Sequence, residues 1–296
     1  MEETTTTPAG QQTAAAAITT AACANCGQAP VGRYCPACGQ RQLSRAQFSL
    51  RHLAGELGAN LLQWDNKLLR TLALALAKPG ELSALYLAGA RTRYTSPITL
   101  LLLLFFFFFI GSVPLTDFTL PLDAHLQWGK WYSAPFAEWV QAKAAATAGG
   151  MTALASAFGL QQHELAKTLV LLHVPLFAIG LKVLHWRRDV YYVEHIIVAS
   201  HFLVAVMLLT LLAVLLLFLP TELLYQPDPV PEPIKQRVLF WGLNMPMAVL
   251  MLLSLKHAYR QSWLLALMKL PLAIIAFAAG HMLYRAITFV LTLVLL

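Results

Sequence analysis

The chain of 296 residues is 58% hydrophobic and only 12% charged, with a mean hydropathy of +0.62 and a net charge of +7. Soluble domains carry about a quarter charged residues, so this composition excludes an ordinary soluble globular protein and points to a polytopic membrane protein. In such a chain the placement of the 21 Lys and Arg residues says more than their sum, because basic residues mark the cytoplasmic side and attract anionic lipid.

Residues 1–22 are rich in Glu, Thr and Ala, with Pro8 and Gly10, and lack the basic start and apolar run of a signal peptide. A disordered cytoplasmic tail is expected there. All four cysteines follow at once, as Cys23-Ala24-Asn25-Cys26-Gly27 and Cys35-Pro36-Ala37-Cys38-Gly39. Each Cys-x-x-Cys-Gly makes a knuckle whose tight turn aims backbone N–H groups at the sulfurs, and whose glycine accepts the positive φ that ends the turn. Disulfides do not suit a segment with no export signal, and a redox pair needs no duplicate. Two knuckles supply the four thiolates of a tetrahedral ion, so residues 23–40 are expected to form a minimal zinc ribbon holding one structural ion, with iron as the competitor. Its tiny core folds because metal binding supplies the free energy. Arg33, Arg41 and Arg45 are too few to favour nucleic acid, and none is expected as a partner.

Residues 46–95 carry an amphipathic helix and a lead-in to the membrane. From Phe48 to Ala77 the helical period puts Leu57, Leu61, Trp64, Leu68, Leu72 and Leu76 on one face and Glu56, Asn60, Gln63, Asn66, Lys67 and Arg70 on the other. Such a helix lies at the membrane interface or docks on the protein's own bundle, and the pattern leaves both open. Lys78-Pro79-Gly80 ends it. Arg91 and Arg93 then fall at the inner mouth of the first span, as topology anchors or as ligands for an anionic headgroup.

Three groups of residues together resemble a known family. They are Tyr34-Cys35-Pro36-x-Cys38-Gly39-Gln40, then Pro79-Gly80 with Tyr86, Gly89-x-Arg91, Tyr94 and Pro97, then Tyr192-Val193-Glu194-His195 with His201. The family is the bacterial membrane family filed as domain-of-unknown-function family thirty-six sixty-seven. The chain departs from its pattern at Leu203, where members often carry another histidine. The resemblance implies an architecture and no chemistry.

The fold class expected is an all-α membrane protein with about five transmembrane helices. Ser96 to Leu115 carries no charge, and Pro97 to Leu115 as a helix covers about 28 Å, one hydrocarbon core. The other spans are expected near 168–185, 195–219, 238–255 and 270–296, with a long outer loop over 116–167. Within that loop, Trp128, Trp131, Tyr132 and Trp139 suit one side of a short interfacial helix, and 142–160 is a weakly apolar helical excursion whose entry into the membrane the pattern leaves open. With a cytoplasmic N-terminus, 15 Lys and Arg fall inside and 5 outside, with Arg285 within the last span. That asymmetry satisfies the positive-inside rule and puts the C-terminus outside a bacterial cytoplasmic membrane.

Ionisable residues inside a bilayer each need an explanation. Counting along the helices puts His173, Asn244 and His281 near the midplane, with Arg285 nearer the outside. They serve as interhelical hydrogen bonds or as a transport path. At the inner mouth His185, Glu194, His195 and His201 gather, and Glu194, His195 and His201 are expected to converge with Arg91 or Arg93, because a buried carboxylate needs a cationic or hydrogen-bonding partner. No nucleophile elbow, Walker loop or dinucleotide fingerprint occurs. The leading expectation is therefore a membrane-anchored zinc-ribbon protein that docks a protein partner or assists envelope assembly. The alternatives are a small-molecule or lipid transporter using the midplane set, and a membrane enzyme acting on lipid headgroups at the inner-mouth set.

Overall fold

A computed structural model describes residues 22–29, 32–41, 66–110, 119–226 and 229–296. The expected tail apart from Ala22, Arg45, the surface helix up to residue 65 and the last residues of the first span, 111–115, lie outside these residues. In chain order the helices are α1 (Asn66–Ala77), α2 (Glu81–Leu87), α3 (Pro97–Ile110), α4 (Leu122–Trp128), α5 (Lys130–Ser133), α6 (Ala137–Ala146), α7 (Gly150–Leu169), α8 (His173–Leu184), α9 (Tyr192–Ala213), α10 (Leu219–Leu224), α11 (Glu232–Leu239), α12 (Met245–Ala258) and α13 (Trp263–Leu295). Among the described residues the protein is all-α, with an isolated bridge between Tyr34 and Arg41 in the cysteine-rich segment.

Four helical segments are long and apolar enough to cross a membrane: Gly150–Leu184, Tyr192–Leu224, Glu232–Ala258 and Trp263–Leu295, of 35, 33, 27 and 33 residues. The first expected span appears as α3, whose described residues are shorter than these. The 116–167 segment, expected as an outer loop, is helical from Leu122 to Ala146, and Gly150 starts a helix that runs on to Leu184. Gly149 at φ +94 opens that helix, and the alanine-rich stretch then propagates it well before residue 168.

Helix α9 is the centre of the bundle. It carries apolar residues on every side, as a helix surrounded by others must, and α1, α2, α3, α8 and α12 all pack on it. The core gathers Leu100, Leu101 and Leu104 of α3, Phe177 and Leu181 of α8, Ile197 and Phe202 of α9, and Leu255 of α12. For α1 the two sequence alternatives now separate. Its buried residues Leu68, Thr71 and Ala75, with Leu72 half-buried, form one helical face that docks on α9 and α2.

The turns 185–191 and 259–262, together with α2, gather at one end of the bundle, called here the ribbon end. Helices α4–α6 and the last turns of α13 form the far end, where Leu122, Tyr132, Phe158, Phe289 and Leu293 make a second core. Exposed Trp186 and Trp263 at the ribbon end and exposed Trp128, Trp131 and Trp139 at the far end make two aromatic belts. Tyr132, expected beside those three tryptophans, instead turns inward and is buried. Its hydroxyl has a partner there that the solvent face lacks.

Two proline effects shape the spans. The π-helical turns Val214–Phe218 and Phe240–Asn244 each end two residues before a proline, Pro220 and Pro246. Proline supplies no N–H and crowds the carbonyl of the preceding turn, and widening that turn relieves the clash.

Candidate metal centre and its seat on the membrane domain

The two knuckles fold alike. Cys23 N–H donates to Gln28 O at 2.8 Å and Cys35 N–H to Gln40 O at 2.9 Å, while Gly27 and Gly39 close the turns at φ +79 and +69. The four Sγ atoms lie within 4.8 Å of one another. A tetrahedral ion with arms of about 2.3 Å needs sulfurs about 3.8 Å apart. The structure gives 3.7 Å for Cys23–Cys38 and 3.5 Å for Cys26–Cys35. The donor set and its spacing fit a four-thiolate metal ion. The Asn25 side chain and then the Gln40 N–H hold the Cys38 thiol below its ordinary range. The Gln28 N–H favours the Cys26 thiolate in the same way, but desolvation and the neighbouring sulfurs outweigh it and push Cys26 up to about 12. Four crowded sulfurs cannot all ionise without a cation, which is the condition a divalent ion relieves.

The ribbon is seated on the lead-in segment between α2 and α3. Gln40 is 5% exposed. Its Nε2 donates to Gly89 O, and its Oε1 accepts from Arg91 N at 3.1 Å, Thr92 N at 3.3 Å and the Thr92 hydroxyl at 3.3 Å. Gly89, at φ +108, leaves room for Ala24, whose Cβ stands 2.7 Å from where a side chain would begin. Sequence reasoning grouped Gln40 and Gly89-x-Arg91 in separate motifs, and the fold makes them one contact.

The lead-in segment is tied to the bundle in turn. Gly80, at φ +82, lies against the Ser254 backbone, and Pro79 O is 3.1 Å from His257 Nδ1. Ser83 Oγ is 3.0 Å from His201 Nδ1, and the Tyr86 ring meets the His201 ring edge-on. The chain of contacts thus runs from the cysteines through Gln40 and α2 to His201.

The inner-mouth residues divide between two sides of α9. His201 faces α2. His195 is 2.7 Å by Nδ1 from the Tyr259 hydroxyl, and Tyr259 stacks on His185 with ring centroids 3.8 Å apart. The Glu194 carboxylate accepts from Tyr191 N–H at 2.8 Å, which makes it an N-terminal cap of α9. His185 donates Nδ1–H to Leu181 O at 3.0 Å, leaving Nε2 as a buried acceptor, and burial pushes its imidazole down to about 4. Arg93 lies over the Tyr94 ring, and the Arg91 backbone is held by Gln40. Glu194 thus caps α9, His195 joins the stack of His185 and Tyr259, and His201 pairs with Ser83, so His195 and His201 meet different partners.

The midplane set is partly brought together. His173 donates Nδ1–H to Val170 O at 2.9 Å, so its Nε2 accepts from His281 Nδ1–H at 3.0 Å, and the Tyr284 ring lies 4.2 Å from the His173 ring. Arg285 follows on the same helix. Asn244 does not join them. It is exposed in the π turn that packs on α9.

A fully buried polar group at the far end escaped the sequence reading. His125 Nε2 accepts from the Gln162 amide at 2.8 Å, and His125 Nδ1 is 2.6 Å from the Tyr132 hydroxyl. Gln162 Oε1 accepts from Leu120 N–H at 3.0 Å and the Ser133 hydroxyl donates to His125 O at 3.0 Å. Burial, and then the charge of Arg285, hold His125 down to about 4. The signal available was a histidine and a tyrosine seven residues apart, with nothing local to mark Gln162 as their partner.

No curated protein and no solved structure matches the chain. Residues 65–109 match the family described as Protein of unknown function (DUF3667), and that stretch contains the Pro79-Gly80 to Pro97 motif on which the ribbon sits. Over residues 65–109 the chain is similar to an uncharacterised family, as the Pro79-Gly80 to Pro97 motif indicated; the knuckle motif and the Tyr192 to His201 motif lie outside the match.

Proposed function

We propose that the protein is an accessory protein of the bacterial cytoplasmic membrane in which one structural zinc folds a ribbon that docks a protein partner. The observation that carries this reading is the seat of the ribbon. One knuckle is bound to the bundle through Gln40, while Arg33, Tyr34 and Arg41 remain exposed, with Tyr34 paired to Arg41 through the bridge. An exposed tyrosine between arginines has the composition of a protein-binding hot spot.

Zinc is favoured over iron by the closed, tetrahedral, four-thiolate arrangement of structural ribbons, which keeps no open position for catalysis. The 15-to-5 distribution of Lys and Arg supports a cytoplasmic ribbon and a C-terminus outside, with Arg91 and Arg93 against anionic headgroups. The transport alternative is less favoured: the His173–His281 bond already satisfies the nitrogens that face each other, which suits interhelical glue.

A photo-crosslinking residue at Tyr34, activated in native membranes, tests the docking role. A protein adduct as the main product is expected, and a lipid adduct as the main product overturns it. Metal analysis of protein made without chelator should find about one zinc per chain, and a preparation holding neither zinc nor iron overturns the ribbon.

A further inference from the structure

The two knuckles repeat the same six-residue pattern, Cys-Ala-Asn-Cys-Gly-Gln and Cys-Pro-Ala-Cys-Gly-Gln, and place Gln28 and Gln40 at equivalent points. Their surroundings differ. Gln28 is exposed, whereas Gln40 is buried among the backbone groups of Gly89, Arg91 and Thr92. Gln40 has that position only because its own carbonyl accepts from Cys35 N–H and because it follows Cys38 out of the knuckle. A segment this small cannot hold its turns without the ion. The side chain that grips the lead-in loop is thus the last part of the metal site's own fold.

We propose that metal binding and the position of the lead-in loop are coupled. A thiophilic divalent cation in the four-cysteine site fixes the loop that carries Arg91 and Arg93, and loss of the cation releases it. The inference rests on the reading that Cys23, Cys26, Cys35 and Cys38 hold a metal. Linkage makes the effect reciprocal: whatever factor the ion contributes to seating the loop, the seated loop returns to the ion's affinity. The released element is specific. Gly80 and Ser83 keep α2 attached to Ser254 and His201, while Ala90 and Tyr94 are buried in the core and Thr95 N–H donates to Thr71 Oγ1, so the change is confined to residues 91–93. In this scheme the ribbon reports the metal status of its compartment to a basic loop at the membrane surface.

The test uses the full chain in nanodiscs, loaded with zinc, and reads amide exchange over 88–95. Thr92 is the informative amide, because its N–H donates to Gln40 Oε1. Chelation is expected to speed exchange there by about tenfold, the scale of one to two net hydrogen bonds, and to leave α9 unchanged. Gln40→Ala should speed the same amide with zinc still bound, and should lower zinc retention against a competing chelator by a similar factor. Gln28→Ala, the same residue at the exposed knuckle, should do neither. Protection that survives complete removal of zinc overturns the coupling, as does a Gln40→Ala protein that behaves like Gln28→Ala. Failure to hold zinc or iron in the first place instead overturns the metal reading on which the proposal stands.

Discussion

Gly80 shows how one position can hold two parts of the molecule. At φ +82 it has no Cβ, and one placed there would stand 2.7 Å from Ser254 Cα and 2.8 Å from Ser254 O. Both are backbone atoms of α12 and cannot rotate aside. Gly80→Ala should therefore lower thermal stability in detergent by about 1–3 kcal/mol, from overpacking and left-handed strain together. Two histidines outside the spans carry a pH signature. His125 and His185 are held down to about 4 by burial, while an unfolded histidine titrates near 6.5. Between those values the unfolded chain binds more protons, so stability is full above about pH 6.5, falls as pH is lowered, and levels off below about 4. Melting measured from pH 7.5 to 4.5 should show this decline, and His185→Phe should reduce its slope. A slope unchanged by that substitution would assign the loss to other groups.

At the scale of elements, the α8–α13 contact rests on small residues. Gly180 faces Ala276, whose Cβ stands 2.6 Å from where a side chain on Gly180 would begin, and Gly280 faces Leu176 at 3.4 Å. This close approach lets His173 and His281 meet. Gly180→Leu should push the helices apart, break the histidine bond and cost about 1–3 kcal/mol, and His281→Ala should then cost less in that background than in the native one. Four spans were legible, because unbroken apolar runs leave a chain few places to go. Their ends were not. Gly150 to Leu160 is weakly apolar because its helix packs partly on protein, as at Leu154 and Phe158, and not only on lipid. The far-end polar group was hidden for a related reason: Gln162 lies far from His125 in sequence, and helix periodicity says nothing of which distant face it meets. The cysteine centre needed no such information, since its ligands and turns are all local.

For the whole molecule, the ribbon and the C-terminus lie at opposite ends of the bundle, which fits a chain whose termini face opposite sides of the bilayer. Reporter fusions at Ala9 and Leu296 should place the first in the cytoplasm and the second outside, and both on one side would overturn the topology. Cys35→Ser should abolish metal binding yet leave the bundle inserted, because ribbon and bundle have separate cores, and protease protection of the spans checks this. The paired π turns carry a consequence for the membrane itself. Val214–Phe218 and Phe240–Asn244 lie side by side, with Leu217 close against Gly242, and the described residues beyond them, 219–226 and 229–239, are largely exposed. Two adjacent helices whose hydrogen-bond ladders are interrupted at the same level should bend there together, as one flap. Hydrophobic mismatch should then be absorbed locally: in thin bilayers the flap folds toward the surface while α8, α9 and α13 keep their tilt. Spin labels on Leu223 and Leu264 should move apart or together with acyl-chain length, while a pair on α8 and α13 holds its distance.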